Sequence, residues 1–190
     1  MQKFYFIAIL GCAFAFTSLV SAQETNVLII PPKTKYENFE LKTDTVLIKG
    51  STQVGTLQTR NGLLIVRSKE IREPATGLFE QAVSIEVRLA NDSEDGTIVD
   101  YDEIDGLLAG IDYLSRANPS VTALSHFDVT YRTRGELVVS VFNRRSSAIE
   151  AAVQSGRYGH ASTILTLQEL AQFRVLIDQA KGKLDSIRKR

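Results

Sequence analysis

An acidic segment near the middle of the chain, residues 91–103, carries the side chains most suited to chemistry. Its oxygen-bearing residues recur at alternate positions, with Gly96 at the sixth position and Ile98 at the eighth. A calcium loop requires alternating oxygen ligands, a glycine at the sixth position for a sharp turn, and an apolar residue at the eighth. The spacing therefore predicts a calcium site, with the candidate ligands Asn91, Ser93, Asp95, Asp102 and Glu103.

The same segment departs from an EF-hand loop at both ends. Position 12 falls on Asp102, which is too short for easy bidentate reach, and Glu103 comes one place late. The residues before Asn91 alternate like a strand, where an EF-hand has a helix. The alternative is an acidic strand-to-helix connection whose carboxylates lie favourably near a helix N-terminus. Asn91-Asp92-Ser93 is also an N-glycosylation sequon, which applies only in a eukaryotic host.

The chain has two histidines, and neither stands in a recognisable catalytic motif. His126 and Asp128 lie two apart in a predicted strand, on one face, where a carboxylate could orient the imidazole for base catalysis. The mature chain has no serine or cysteine in a nucleophile-elbow context, so a strand histidine without a catalytic role is the favoured interpretation. His160 lies 34 residues further on, near a turn, and the two histidines do not form the helical pair typical of zinc sites.

Four arginines surround one predicted hairpin in the second half of the chain. Such a group could hold an anionic ligand through paired N–H donors. Solvated hairpin ends commonly have the same composition, which is the alternative interpretation. The residues are Arg132, Arg134, Arg144 and Arg145.

The elements that must position these residues begin with β-rich runs after Thr45. Apolar and β-branched residues predict four strands, at 46–48, 54–60, 63–71 and 83–89. Between the second and third runs, Asn61-Gly62 predicts a tight hairpin, because both residues tolerate the positive φ of a type I′ turn.

A helix follows in each half of the chain. Helical spacing of apolar residues predicts the first over 101–117, with Asp100 as its N-cap and Glu103 three residues on. Four further strands are predicted at 126–132, 137–142, 149–153 and 161–165. The last helix is predicted to begin with the capping box formed by Thr166 and Glu169.

The final helix carries an apolar stripe with steps of three and four residues. Such a stripe packs on the protein's own sheet or docks a partner helix or a second copy. Fewer than three heptads are present and Gly182 interrupts them, which favours packing on the sheet. The stripe consists of Leu170, Phe173, Ile177, Ala180, Leu184 and Ile187.

The predicted order is four strands and a helix, repeated once (β4-α-β4-α), and it indicates an α+β fold. Antiparallel sheets with two packed helices follow from that order. In element order alone, the chain resembles the Whirly-type fold, a resemblance that implies binding of single-stranded nucleic acid. Such a groove needs clustered basic and aromatic residues, whereas Lys and Arg are scattered here, so nucleic acid is not the expected partner.

The first 22 residues have the pattern of a secretory signal peptide. Lys3 precedes an apolar run over 4–16, and Val20-Ser21-Ala22 supplies the small residues of a cleavage site after Ala22. An uncleaved membrane anchor and a lipid anchor at Cys12 are the alternatives. Residues 23–44 are predicted to form an irregular lead-in segment, in which Val27 to Ile30 is a candidate edge strand. Residues 45–190 are predicted to form a single α+β domain with halves of about 45–118 and 119–190.

Composition limits the function classes that the mature chain suits. Cleavage after Ala22 leaves 21 basic against 22 acidic residues, a net charge of −1, and removes the single cysteine. Near-neutral charge gives no electrostatic reason to expect nucleic acid or an anionic membrane as partner. The sequence therefore predicts a secreted or periplasmic non-enzymatic binding or structural domain, whose ligand is a protein or small molecule outside the cytoplasm, with self-association open. The alternative is a hydrolase using carboxylates of residues 92–105, with calcium as its one candidate cofactor.

Overall fold

The fold is taken from a computed structural model of the chain, which describes residues 31–189 except 92, 145–147 and 157–159. The predicted signal peptide at 1–22 and the first part of the lead-in segment lie outside the described residues. Contacts group the chain from Pro31 onward as one compact unit. Two antiparallel four-stranded sheets and three helices make up the described part, so the α+β prediction is confirmed.

The first sheet consists of four strands in sequential order. They are β1 (Ile48–Gln58), β2 (Gly62–Arg72), β3 (Phe79–Leu89) and β4 (Glu94–Asp100). Two strand assignments from the sequence are wrong. The runs predicted at 46–48 and 54–60 belong for the most part to one strand, because the polar residues between them also pair with β2, and a bulge follows between Gln53 and Gly55. The acidic connection is a strand, in which Asp95, Thr97 and Val99 are buried at alternate positions.

The predicted hairpin at Asn61-Gly62 joins β1 to β2, but its turn is not of type I′. Among the described residues, neither Asn61 nor Gly62 has a positive φ. A Cβ at Gly62 would collide with the carbonyl oxygen of Arg88 on β3, so the glycine serves close packing of two backbones. The Asn61 side chain instead bonds the second sheet.

The second sheet also contains four strands in sequential order. They are β5 (Asp128–Arg132), β6 (Leu137–Asn143), β7 (Ile149–Ser155) and β8 (Ser162–Leu165). Asn61 joins the sheets, because its side-chain oxygen accepts hydrogen bonds from the Ile164 N–H and the Thr163 hydroxyl. Its amide donates to the Ser162 carbonyl oxygen at 3.1 Å. The edge of β8 is therefore occupied by a side chain from the first half of the chain.

The three helices are α1 (Lys35–Glu40), α2 (Ile104–Leu114) and α3 (Leu167–Arg188). The prediction of two helices with an irregular lead-in over 23–44 omits α1. The sequence signal for α1 is a capping box at Thr34 and Glu37, together with Tyr36 and Phe39, which the helix buries against the outer face of the first sheet. The capping box of Thr166 and Glu169 at the start of α3 is confirmed.

Helices α2 and α3 each pack mainly on the sheet of the other half of the chain. Helix α2 follows the first sheet but packs on β5 and β6, whereas α3 follows the second sheet and packs mainly on β1 and β2. Five of the six residues in the α3 stripe are buried, and the sixth, Ile187, is partly exposed, so packing on the protein's own sheet is confirmed. One apolar core therefore contains residues of both halves.

Close packing of α2 on β5 depends on glycines that face a tyrosine. A Cβ at Gly110 would lie only 2.4 Å from the Cδ2 atom of the Tyr131 ring, and one at Gly106 would lie 2.9 Å from the Tyr131 hydroxyl oxygen. In α3, by contrast, a Cβ at Gly182 would meet nothing within 4 Å. The same substitution should therefore have opposite effects in the two helices.

We expect Gly110→Ala to lower the free energy of unfolding by about 1–3 kcal/mol, because overpacking forces the ring or the helix to move. Gly182→Ala should raise it by roughly 0.5–1 kcal/mol, because alanine loses less backbone entropy in a helix. Urea unfolding of both variants measures the difference. Equal effects of the same sign would contradict the described packing of α2 on Tyr131.

Candidate interaction surface

The five predicted calcium ligands are distributed along a strand and the turn that follows it. Because β4 is extended from Glu94 to Asp100, the Cα atoms of Asp95 and Asp100 lie about 16 Å apart at roughly 3.3 Å per residue. A bound calcium ion needs every ligand oxygen within about 2.6 Å of itself. The structure therefore does not bring Asp95 together with Asp102 and Glu103 at one point.

Each described carboxylate of this segment contacts other groups. The two Asp95 oxygens accept hydrogen bonds from the backbone N–H groups of Gly96 and His160. The Arg134 guanidinium lies 2.6 Å from Asp102 and 3.1 Å from Glu103. Among the described residues, no group of three or more His, Cys, Asp or Glu side chains could hold a metal ion. Asn91 accepts a hydrogen bond from the Ser93 N–H, and calcium binding stays a prediction.

Asp100, predicted as the N-cap of the helix that follows it, caps a different helix. Its carboxylate accepts hydrogen bonds from the backbone N–H groups of Lys35, at 2.8 Å, and Tyr36, at 3.0 Å. It makes no capping bond to the turn at 101–103. Burial raises the pKa of Asp100, against the opposing effects of these two N–H groups and of Arg134. Asp100 therefore fastens α1 to the end of β4.

The two histidines are exposed and lie apart from one another. His126 precedes β5 and has no described contact with Asp128, whose carboxylate accepts a hydrogen bond from Thr130 instead. His160 has a positive φ of 54° and uses its backbone N–H to bond Asp95. These contacts give neither histidine a catalytic partner among the described residues.

The predicted arginine group does not form one anion site in the described part of the chain. Arg134 faces three carboxylates at the end of β4, and Arg144 pairs with Glu150 at 2.5 Å. Arg132 is exposed at the end of β5. Arg145 lies outside the described residues. The charges of Arg134 and Arg144 are thus balanced within the protein.

The feature that sequence reasoning missed is the free edge of β1. In the part of the chain that the structure describes, β1 pairs with β2 on one side and with no strand on the other. Its first six residues, 48–53, are all exposed. An unpaired edge presents a row of backbone N–H and C=O groups that can pair with another chain. The sequence pattern predicts two short strands in place of β1 and therefore does not show the length of this edge.

Exposed apolar side chains surround the beginning of this edge. Ile48 is 57% exposed and Val46 is 72% exposed, although both are apolar. In the strand register, Ile48 lies opposite Arg72, and Arg72 lies opposite Phe79. We call this group the apolar end; it consists of Leu41, Val46, Ile48, Leu78 and Phe79.

A buried glutamate fixes the backbone of the apolar end. Glu73, in the turn after β2, accepts hydrogen bonds from Lys42 at 2.8 Å, Thr45 at 2.7 Å and Thr76 at 2.6 Å. These bonds tie the segment before β1 to the turn between β2 and β3. They also lower the pKa of Glu73 to about 2, from an ordinary value of 4.5. The three hydrogen bonds to Glu73 therefore fix the position of the apolar end.

Comparison with known proteins gives no family for this chain. No protein-family model matches it, and no curated protein sequence matches it at a significant level. No helix in the described part is both long and apolar enough to cross a membrane.

The calcium prediction is tested by the thermal midpoint of the protein in calcium and in chelator. A ligand that binds only the folded state raises the midpoint. Because β4 separates the candidate ligands and Arg134 neutralises two of them, we expect equal midpoints in both solutions. A clear rise in calcium, abolished by Asp95→Asn, would establish a metal site in residues 91–103.

We expect Glu73→Gln to lower the thermal midpoint at pH 7. A carboxyl group whose pKa is lower in the folded state stabilises it above the unfolded pKa, and loses that effect as the group protonates. The deficit of the variant should therefore shrink as the pH falls from about 4.5 toward 2. Glu94→Gln, at an exposed pair with Arg88, is the control and should change little. A deficit independent of pH would refute the charge-based role of Glu73.

Proposed function

We propose that this chain is exported and acts outside the cytoplasm as a non-enzymatic interaction domain that binds an extended segment of a partner protein along β1. The observation that carries the proposal is the exposed edge of β1 over 48–53, which pairs with no strand on its outer side among the described residues. An added strand would complete the hydrogen bonds of this edge, and main-chain bonds of that kind supply affinity in strand addition.

The composition of β1 supports this use of the edge. Edge strands that avoid association carry charges or proline, yet the only charged residue of β1 is Lys49. Glu40 of α1 lies 2.5 Å from Lys49 and neutralises it. The beginning of β1 therefore offers a neutral edge flanked by the apolar end. Clustered exposed apolar side chains of this kind commonly mark interaction sites.

Export is supported by the sequence features of residues 1–22. A basic residue, an apolar run and small residues before Gln23 fit a cleaved signal peptide. The chain that remains contains no cysteine, so its stability does not depend on disulfides in the compartment that it enters.

The carboxylates of 92–105 favour a structural role over hydrolysis. A catalytic carboxylate needs access to substrate and a pKa suited to proton transfer. Arg134 holds Asp102 and Glu103, and Asp100 is buried against the N-terminus of α1. These contacts leave the interaction domain as the better-supported function.

Most basic residues on the first sheet are paired with carboxylates, which disfavours a nucleic-acid platform. Arg67 lies 2.7 Å from Glu86, and Arg88 lies 3.0 Å from Glu94. Binding of single strands needs a positive track with aromatic residues for base stacking. Neutralised arginines do not supply such a track.

The proposal is tested with a displayed library of random octapeptides selected on the full chain recovered after export. We expect selected peptides to slow amide hydrogen exchange within 48–58, since strand addition protects edge amides from solvent. The double variant Val46→Asp and Ile48→Asp should bind them at least tenfold more weakly. Val175→Asp is the control, because Val175 is an apolar residue of α3 with 49% exposure.

Two results would overturn the proposal. One is that no peptide is selected, and the other is that selected peptides protect amides elsewhere and leave 48–58 unchanged. Concentration-dependent protection of 48–58 without peptide would instead identify a second copy of the chain as the added partner.

A further inference from the structure

A groove lies between the first half of β1 and the C-terminal part of α3. Its volume is about 220 Å³, and its lining includes Gly50, Thr52, Ser68, Lys183, Leu184 and Ile187. This volume is far above the roughly 10–15 Å³ that one water molecule needs, so the groove has room for an amino-acid side chain. We call it the β1–α3 groove.

The path of α3 over the sheet explains why the groove exists. The helix touches β1 at Gly55, where a Cβ would lie 2.6 Å from Leu176. Further along the helix, the Ala180 carbonyl oxygen accepts a hydrogen bond from Ser68 on β2. The helix therefore crosses from β1 to β2, and the beginning of β1 is left uncovered on that face.

A strand added to β1 would place alternate side chains over this groove. Thr52 lies opposite Ser68 and Gly50 lies opposite Glu70, so both face the side of the sheet that α3 covers. Gly50 contributes no side chain, and Leu184 and Ile187 give the groove an apolar wall. One apolar side chain of the added strand fits this position.

The charges at the groove favour an added segment that has an acidic residue close to this apolar side chain. Among the described residues, Lys183 has no carboxylate within ion-pair distance. Lys69 extends to the opposite face of the sheet, where its ammonium lies 5.2 Å from the centre of the Tyr36 ring. Glu70 is engaged by Arg72 at 3.4 Å and by Gln81 at 2.8 Å. Lys183 therefore places an unpaired positive charge beside the apolar wall.

We infer that the segment added at β1 is extended and acidic, with one apolar side chain in the β1–α3 groove and a carboxylate two residues away that pairs with Lys183. Residues two apart on a strand share a face and lie about 7 Å from one another, which permits both contacts at once. This inference rests on the proposed strand addition and specifies its partner.

The probe is the synthetic peptide Thr-Glu-Thr-Leu-Thr-Glu-Thr, in which glutamates flank the leucine in either strand direction. We expect the full chain to bind it and to lose about tenfold or more in affinity when the leucine is replaced by alanine. Gly50→Ile should weaken binding similarly by filling the groove. A Cβ at Gly50 meets nothing within 4 Å, so this variant should fold.

A charge exchange separates recognition from simple structural damage. Lys183→Glu should weaken binding of the probe and strengthen binding of a version in which lysines replace the glutamates. Lys189→Glu, near the end of the same helix, is the matched control and should bind both peptides as the unchanged protein does. Recovery of affinity in the exchanged pair requires a direct contact between position 183 and the peptide.

The outcomes distinguish this inference from the proposed function. Peptides that protect 48–58 from exchange, yet are indifferent to Gly50→Ile and Lys183→Glu, would overturn the acidic apolar partner and leave strand addition intact. Absence of binding by both the probe and the random library would overturn both. Preference for the lysine version by the unchanged protein would reverse the inferred charge of the partner.

Discussion

The exchange of helices between the two halves is the constraint on which the rest of the structure depends. Helix α2 covers β5 and β6, and α3 covers β1 and β2, so each sheet obtains part of its apolar cover from the other half of the chain. An isolated half would expose the inner face of its sheet, and burial of that face supplies much of the stability of a domain. We therefore infer that the halves fold as one cooperative unit, although each has the same order of strands and helix.

The same packing determines which strand edges are available. The edge of β8 is occupied by the Asn61 side chain, and Thr97 of β4 donates a hydrogen bond to the Gly135 carbonyl oxygen in the turn between β5 and β6. Among the described residues, the helix that covers β1 is α3, which crosses toward β2. Five residues of the α3 stripe are buried in the shared core. To bury them, α3 must cross the sheet, so it cannot also run along the whole of β1. The free edge thus results from the geometry that closes the core.

How much of this could be predicted from sequence differs between elements for physical reasons. Periodicity located α2 and α3, because a buried stripe repeats every three or four residues, and Thr166 with Glu169 marks where α3 begins. The acidic residues of β4 concealed a strand, since Asp95 bonds His160 and Asp100 bonds Lys35, and both partners are distant in sequence. Helix α1 carries its capping signal in Thr34 and Glu37, but its six residues are too few for a clear apolar period. No local sequence pattern marks the free edge of β1, because whether a strand edge is paired depends on the arrangement of the whole sheet.

The balance of charges also supports β1 and the β1–α3 groove as the interaction surface. Most cations of the described fold are neutralised internally, as Arg134 is by three carboxylates and Arg174 is by Asp112 at 2.6 Å. Partly buried pairs of this kind stabilise the fold without attracting a partner, since their fields cancel over short distances. Lys183 lies instead beside an uncovered groove and an unpaired edge. Backbone groups, apolar side chains and an unbalanced charge coincide there, and each favours the same occupant, an extended acidic segment.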